Sequence, residues 1–379
     1  MREAMRPFLL FACGALAVAG CGGSSEFADF SEFDAAIEDY LADSEVDGAT
    51  AVVVDREAGI VHLRGYGAFD PDRVSLIASS SKVLSVGVLM RLADEGLLDI
   101  DAPISDYLQP WGDHKMDITT AQLLSNSAGM VGLLDDPTYA PYLCQYLDGG
   151  TLSECAEEIY TADDEEDRVP PDTEFRYGGG QWQLAGGIAE MVSGQSWDEL
   201  IEETYVEPCG MTSTAYNNHF SQSFLGGGGV DGALSYPDFF DGDPSVLEPT
   251  DNPNIEGGAY TTAEDYGRAL LLHLREGVCD GTRVLSEAAV QRMQEDRIGE
   301  VYGGTTIDPT LPGYGLGWWV DRNNPGVVAD AGAYGAVPWL DVERGYGAMI
   351  ILEDEATQGV NLRLQTQPIL EAIFDALEE

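Results

Sequence analysis

The chain has 379 residues and a formal net charge of -49 at pH 7, from 18 Lys and Arg against 67 Asp and Glu. Its hydrophobic content of 44% excludes an intrinsically disordered chain and is enough for one large or two moderate globular domains. The phosphates of nucleic acid would repel so acidic a protein, and we therefore expect no nucleic-acid partner.

The N-terminus has the pattern of a secretory signal. Arg2 and Arg6 precede an apolar run over residues 8–19, which is too short to span a bilayer as a mature helix. The run leads through small residues into Gly20-Cys21, a pattern similar to a bacterial lipobox, in which the cysteine becomes the lipidated first residue. Plain secretion with cleavage nearby is the alternative.

From this pattern we expect residues 1–20 to be a lipoprotein signal peptide and residues 21–29 a flexible tether. The main domain would then span residues 30–379. The expected location is the bacterial cell envelope, in the periplasm or on its outer face. A lipid on Cys21 is the expected attachment to the membrane, because no later stretch is apolar enough for a transmembrane helix.

The first hundred residues of the domain predict three helices and a hairpin. Residues 31–41 carry an amphipathic helical pattern, and the β-branched runs 50–55 and 60–66 flank a turn, as in a β-hairpin. Residues 83–95 predict a longer helix with Gly96 as its C-cap. Residues 118–124 predict another helix that a threonine caps.

The middle of the chain, residues 125–258, mixes predicted helices (181–193 and 197–205) with long loops. Five acidic residues within 162–167 predict a solvated loop, with a calcium site as the alternative. The run Gly226–Gly229 predicts a mobile or closely packed loop. Thr261-Thr262-Ala263-Glu264 predicts a capping box for a helix that continues to Leu274.

The C-terminal part returns to strand patterns after a helix over residues 286–297. Strands are predicted over 316–320, 327–329, 336–341 and 348–352, and a closing helix over 369–377. Strands at both ends of the domain around a helical middle predict one sheet built from both termini, with a mostly helical insertion.

Four cysteines follow Cys21, at positions 144, 155, 209 and 279. An even number in an exported chain favours disulfides. Cys144 and Cys155 are close in sequence and are predicted to pair, which leaves Cys209 with Cys279. The cysteine spacings are wide, and the histidines are scattered (His62, His114, His219 and His273), so we expect no metal site and no cofactor.

The clearest chemical signal is the segment Ile77-Ala78-Ser79-Ser80-Ser81-Lys82. Lys82, one of only two lysines with Lys115, follows Ser79 by three residues, so the two side chains share a helix face. A desolvated lysine can take the proton of a serine hydroxyl, and a helix start favours a developing oxyanion. On this motif alone, an ordinary helix start with a surface lysine is equally open.

The chain resembles the serine β-lactamase-related superfamily, which includes class C β-lactamases, D,D-peptidases and serine esterases. The similarity covers most of residues 30–379 and is carried by residues 77–82, 92–101, 118–130, 175–177, 193–194, 208–212 and 256–265. The resemblance implies a β-lactamase/transpeptidase-like fold of the α/β (α+β) type. In that fold an antiparallel sheet from both termini is flanked by helices, with a helical subdomain over roughly residues 79–258.

The resemblance also implies roles for individual residues. Ser79 would be the acylated nucleophile and Lys82 its proton partner. Tyr177 would carry a proton to the leaving group, which requires neighbouring cations to favour phenolate character; without the family it reads as a structural loop tyrosine. After Gly332, the backbone N–H of Ala333 would join that of Ser79 as an oxyanion donor.

Two positions depart from the family pattern. Gly179 stands where the family has Asn or Ser, whose side chain reaches the substrate or the lysine, and Asp330 stands where the family has Lys or His. Asp330 puts substrates with a carboxylate, such as β-lactams, in doubt. An ionised Asp330 would also hold Lys82 protonated. Three outcomes are then open: Tyr177 removes the proton beside a cationic Lys82, Asp330 points away, or a substrate ammonium neutralises Asp330 during turnover. We favour the third.

The sequence therefore predicts an exported serine hydrolase that acts on an ester or amide through a Ser79 acyl-enzyme, with a neutral or amine-bearing substrate. Its partner would be a small-molecule ester or amide, or a cell-wall fragment. Two alternatives stay open: a non-catalytic family member that binds a cell-wall fragment or another partner, and a β-lactamase or D,D-peptidase.

Overall fold

The computed structural model describes residues 27–133, 135–223, 232 and 234–378, so Cys21 and the run Gly226–Gly229 lie outside the described residues. No helix among these residues is long and apolar enough to cross a membrane. The described helices are α1 (Ser31–Asp43), α2 (Ser81–Asp94), α3 (Thr120–Leu124), α4 (Leu152–Thr161), α5 (Gly179–Ser193), α6 (Trp197–Ile201), α7 (Glu207–Cys209), α8 (His219–Ser223), α9 (Ala263–Leu274), α10 (Glu287–Gln294), α11 (Arg297–Tyr302) and α12 (Ala356–Glu378).

Within the described residues, seven strands form the main sheet in the order β2-β1-β12-β11-β10-β9-β8, with antiparallel pairing throughout. The strands are β1 (Gly48–Asp55), β2 (Gly59–Gly67), β3 (Ser75–Leu76), β4 (Ala215–Tyr216), β5 (Ala259–Thr261), β6 (Val278–Cys279), β7 (Thr282–Arg283), β8 (Gly313–Tyr314), β9 (Trp319–Val320), β10 (Val327–Ala329), β11 (Val337–Asp341) and β12 (Tyr346–Ile351). The strands of the main sheet all lie outside residues 79–258, which confirms the predicted sheet from both termini.

The main sheet buries both of its faces. Along β1, Val52 and Val54 belong to one hydrophobic cluster with α2, α5 and α9, whereas Ala51 and Val53 belong to another with α1 and α12. Successive side chains of a strand point to opposite faces, so a strand covered on both sides is apolar throughout. This explains why residues 50–54 show no alternation of polar and apolar residues.

Helix α2 lies at the centre of the larger cluster. Its residues from Ser81 to Met90 are all buried, Lys82 among them. A helix that is buried on every side shows no polar stripe, so its sequence pattern alone does not reveal which face meets the sheet. The helix therefore presents the side chains at its N-terminal end to an interior site and not to solvent.

Three boundaries differ from the sequence predictions. Helix α9 is capped by Thr262, whose side chain accepts from Asp265 N, and not by Thr261 within a capping box. The predicted strand 316–320 is a strand only at its end, β9, and residues 316–318 belong to the turn that joins β9 to β8. Helix α12 begins at Ala356, well before residue 369, because burial of Leu362 and Leu370 outweighs the helix-breaking tendency of the internal Pro368.

The acidic segment 162–167 is not simply a solvated loop. Asp164 is 1% exposed and accepts a hydrogen bond from Lys115 Nζ at 2.9 Å, and it also accepts from Tyr142 Oη. The Asp164 carboxylate therefore forms an ion pair with Lys115, the second lysine of the chain. Among the described residues, no group of three or more His, Cys, Asp or Glu side chains is arranged to hold a metal ion.

Both predicted cysteine pairs are bonded in the structure. Cys144 and Cys155 join a 3₁₀ segment, Ala140–Tyr146, to α4. Cys209 and Cys279 join the end of α7 to β6. The first of these disulfides fixes a segment that reaches the candidate site described next.

Candidate active site

Ser79 lies where β3 leads into the central helix. After β3 the chain makes one 3₁₀ turn, Ala78–Ser80, and α2 begins at Ser81. Ala78 has a φ of 43°, in the left-handed region that non-glycine residues rarely adopt, so the backbone immediately before Ser79 is strained. The turn leaves the Ser79 side chain half-buried at the wall of a cavity.

The two serines that follow Ser79 are bonded to the backbone. Ser80 Oγ donates to the carbonyl oxygens of Asp330 and Ala336, at 2.8 and 2.9 Å. Ser81 Oγ donates to the Ala78 carbonyl at 2.6 Å. These bonds attach the turn to the end of β10, and among the three serines only Ser79 lines the cavity.

Lys82 is fully buried behind Ser79. Its Nζ lies 3.3 Å from Ser79 Oγ, 3.0 Å from the carbonyl oxygen of Glu256 and 3.2 Å from Glu256 Oε2. Burial acts against the ammonium form, but the acidic groups around it, Tyr177, Glu256 and Asp330, outweigh burial and raise the pKa of this lysine, and the Glu256 carboxylate at 3.2 Å is the partner of the ammonium. The amine therefore lies within reach of the Ser79 hydroxyl, as the spacing predicts, but as a cation.

Tyr177 covers Lys82 from the loop before α5. The centre of its ring lies 4.6 Å from Lys82 Nζ, and the ring also packs against Trp319, with 5.6 Å between centroids. Burial raises the pKa of Tyr177 although the Lys82 cation acts in the opposite direction. The phenol is thus held in its neutral form, which suits a proton donor better than a ready-made base.

Gly332 and Ala333 follow β10 and close the opposite wall. The Gly332 N–H donates to the carbonyl oxygen of Ala336 at 2.8 Å, so it is not available to bind an oxyanion. Ala333 lines the cavity together with Ser79. No acceptor in the described part of the chain pairs with the Ala333 N–H, and this group is therefore available to an oxyanion.

Glu256 is the residue near Lys82 that the sequence did not single out. It lies shortly before β5 and is 7% exposed, and its Oε1 is 3.4 Å from Tyr146 Oη. Its ion pair with Lys82 is buried on both sides. Glu256 begins one of the segments that carry the resemblance, residues 256–265, but nothing in the sequence assigns it a role, and only the folded chain brings it to the lysine.

Gly179 is the first residue of α5 and is buried beside Glu256. A Cβ at this position would overlap Gln145 Oε1 and Glu256 Oε1. Gly179 is not among the residues that line the Ser79 cavity. The space that a side chain at position 179 would occupy is filled by two side chains from other parts of the chain.

Asp330 is not placed to meet a substrate. It is 0% exposed and it does not line the cavity. Burial raises the pKa of this carboxyl well above its usual range, against the effect of the Lys82 cation. The ion pair of Lys82 is made with Glu256, so the expectation that an ionised Asp330 faces a substrate ammonium is corrected here.

The cavity beside Ser79 has a volume of about 40 Å³ and mostly apolar walls. Its polar lining groups are Ser79, Tyr146 and Glu256, and no lysine or arginine is among the described residues that line it. The remaining lining residues are Ala78, Leu133, Pro137, Phe220, Leu234, Gly257 and Ala333. Such walls favour an uncharged, apolar group next to the nucleophile.

Comparisons with known proteins agree with this fold. The family model described as Beta-lactamase matches residues 33–365. Penicillin-binding protein 4 of Amycolatopsis lactamdurans is 29% identical over 328 residues, which cover 80% of this chain and 79% of that protein. The esterase/beta-lactamase LipL of Mycobacterium tuberculosis is 27% identical over 165 residues, which cover 41% of this chain and 34% of that protein.

Among solved structures, a putative beta-lactamase from Bacteroides dorei superimposes with a TM-score of 0.69 at 24% identity. The alignment covers 92% of this chain and 99% of the other. This likeness confirms the expected β-lactamase/transpeptidase-like fold. The roles of the individual site residues stay predictions from the sequence and from the geometry above.

Proposed function

This chain belongs to the β-lactamase family of serine hydrolases, and from that membership and the site geometry we propose that it cleaves an ester or amide through an acyl-enzyme on Ser79. The observation that carries the proposal is the position of the Ser79 hydroxyl. It lies at the wall of a cavity and 3.3 Å from a buried lysine amine. A serine needs such a neighbour, because its hydroxyl is a weak nucleophile until another group takes the proton.

The other groups fit the same chemistry. Ser79 Oγ would attack the carbonyl carbon, and the N–H groups of Ser79 and Ala333 would stabilise the oxyanion that forms. Tyr177, in its neutral form above Lys82, would give a proton to the leaving group. Water would then release the acyl group from Ser79 and complete hydrolysis.

The cavity supports a neutral substrate. Its only lining carboxylate, among the described residues, is Glu256, and no cation there could pair with a substrate carboxylate. An anionic substrate such as a β-lactam would therefore meet like charge and no counter-ion. We propose esters or amides with a small apolar acyl group, and we expect p-nitrophenyl butyrate to be a better substrate than a chromogenic cephalosporin.

The test of the acyl-enzyme is covalent labelling. A fluorophosphonate probe should label the wild type at Ser79, and Ser79→Ala should lose the label and at least about 10³-fold in hydrolysis of p-nitrophenyl butyrate. Ser81→Ala is the matched control, since its hydroxyl bonds the backbone, and it should still be labelled. A wild type that no probe labels would favour the non-catalytic alternative.

We also propose that the chain is exported and anchored to the cell envelope through a lipid on Cys21. Support comes from the sequence, where small residues lead into this cysteine after an apolar run and a Gly/Ser segment follows. Four further cysteines paired in two disulfides fit an oxidising compartment. A small-molecule ester or amide, or a cell-wall fragment, would be the substrate met there.

A further inference from the structure

The Glu256 carboxylate fills the space beside Lys82 that a side chain at position 179 would need. The Glu256 carboxylate bonds Lys82 Nζ through Oε2, and its Oε1 occupies the volume that a Cβ on Gly179 would need. The resemblance described above places an Asn or Ser side chain at position 179, within reach of the lysine. In this chain the lysine instead meets a carboxylate that comes from the loop before β5.

The loop that carries Glu256 is held on both sides. The Gly257 N–H donates to Asn254 Oδ1, and Asn254 Nδ2 donates to the carbonyl oxygen of Gln145, both at 2.8 Å. Asn254 is fully buried. Because the fold already holds the loop in place, the Glu256 side chain loses little conformational entropy when it pairs with Lys82. A mobile surface ion pair would lose more.

We propose that Glu256 is the final acceptor of the Ser79 proton, acting through Lys82 and in place of the side chain that Gly179 lacks. The proposal rests on the proposed function, because it assigns a proton path to the acylation of Ser79. It requires only contacts present in the structure: Ser79 Oγ to Lys82 Nζ at 3.3 Å, and Nζ to Glu256 Oε2 at 3.2 Å.

Acylation moves one proton from Ser79 through Lys82 to Glu256. Ser79 Oγ forms a bond to the carbonyl carbon, and the carbonyl π electrons move to its oxygen. The proton of the hydroxyl passes to Lys82 Nζ while Nζ gives one of its own protons to Glu256 Oε2, so the lysine is an ammonium before and after. When the intermediate collapses, Tyr177 gives its proton to the leaving group, which departs neutral, and the proton held by Glu256 returns through Lys82 to Tyr177.

The other titratable groups around this pair are poor proton acceptors. Tyr146, Tyr177, Tyr314 and Asp330 face the pair from the 3₁₀ segment 140–146, from the loop before α5, and from β8 and β10. Burial raises the pKa of each of them and favours their neutral forms. Glu256 is therefore left as the proton acceptor, since its Oε2 lies 3.2 Å from Lys82 Nζ.

The test is the pH dependence of kcat/KM for p-nitrophenyl butyrate in Glu256→Gln, which keeps the shape and removes the charge. We expect a loss of about 10²-fold at pH 7, the scale of one proton transfer. The loss should shrink to less than about tenfold at pH 9.5. Without its carboxylate partner, burial lowers the pKa of Lys82, and the free amine can take the proton itself at high pH.

Two further variants separate this role from a structural one. Glu256→Asp keeps a carboxylate and should retain more activity at pH 7 than Glu256→Gln. Asp164→Asn removes the carboxylate of the other buried lysine and should leave the shape of the pH profile unchanged. An equal loss at every pH in Glu256→Gln, or no loss, would overturn the proposal, whereas a wild type that is not labelled at Ser79 would overturn the proposed function instead.

Discussion

Single buried residues decide how the protein responds to acid. His273 on α9 is 3% exposed, its ring packs edge-on against Trp318, and its Nδ1 has no hydrogen-bond partner among the described residues. Burial lowers the pKa of His273 from 6.5 to about 4. Because the folded protein resists protonation of this ring and the unfolded chain does not, acid must weaken the fold at this position.

The sign of that effect can be measured with His273→Leu. Above pH 6.5 the histidine is neutral in both states and its contribution to stability is complete; as pH falls toward 4 the unfolded chain binds the proton first and the contribution is lost. From pH 7.5 to pH 5 the free energy of unfolding of the variant, relative to the wild type, should therefore rise by about 2 kcal/mol. Urea titrations at both pH values test this, and a difference that stays constant with pH would contradict it.

At the scale of elements, the disulfide between Cys144 and Cys155 holds the surroundings of Glu256. It ties α4 to the 3₁₀ segment Ala140–Tyr146, and that segment supplies Gln145 and Tyr146 to the space around the carboxylate. Helix α4 is also fixed at its start by a capping box between Thr151 and Glu154. The segment near the site therefore depends on a covalent link as well as on packing.

Removing this link should have a cost set by the loop that it closes. The chain-entropy relation gives about 3 kcal/mol for Cys144→Ala/Cys155→Ala, with a sequence separation of 11. The same relation gives about 4 kcal/mol for Cys209→Ala/Cys279→Ala, with a separation of 70, which makes that pair the natural comparison. Chemical denaturation measures both values, and a short-loop variant as stable as the wild type would show that this disulfide is not structural.

At the scale of the whole molecule, net charge governs which surfaces the protein can approach. With 67 acidic residues against 18 Lys and Arg, and with many of those cations already in ion pairs, the surface carries a large excess of negative charge. Anionic headgroups would repel it. The acidic surface therefore does not favour membrane attachment, and the proposed lipid on Cys21 would have to supply it.

The lipid prediction is tested by metabolic labelling with a tagged fatty acid. The wild type should carry the label and fractionate with membranes, whereas Cys21→Ala should lose the label and appear in the soluble fraction. One acyl chain alone gives marginal binding, so stable fractionation also reports more than one chain. Equal labelling of both proteins would reject Cys21 as the lipidated residue.

Much of this protein can be predicted from local sequence. The i, i+3 spacing of Ser79 and Lys82 gave their proximity, because helix geometry alone fixes it. The β-branched runs at the two ends predicted the strands of the sheet, because β propensity and burial are recorded in neighbouring residues. The fold could be predicted from the family motifs because each motif is a short segment of neighbouring residues.

Only the tertiary structure decided which charges meet. Asp330 and Glu256 are both acids in the sequence, yet folding buries Asp330 away from the cavity and brings Glu256 to Lys82 from 174 residues away. Likewise Gly179 reads as a missing side chain, whereas in the fold its space is filled from elsewhere. The ionisation of a carboxyl depends on its desolvation and on the charges around it, and both come from residues distant in sequence.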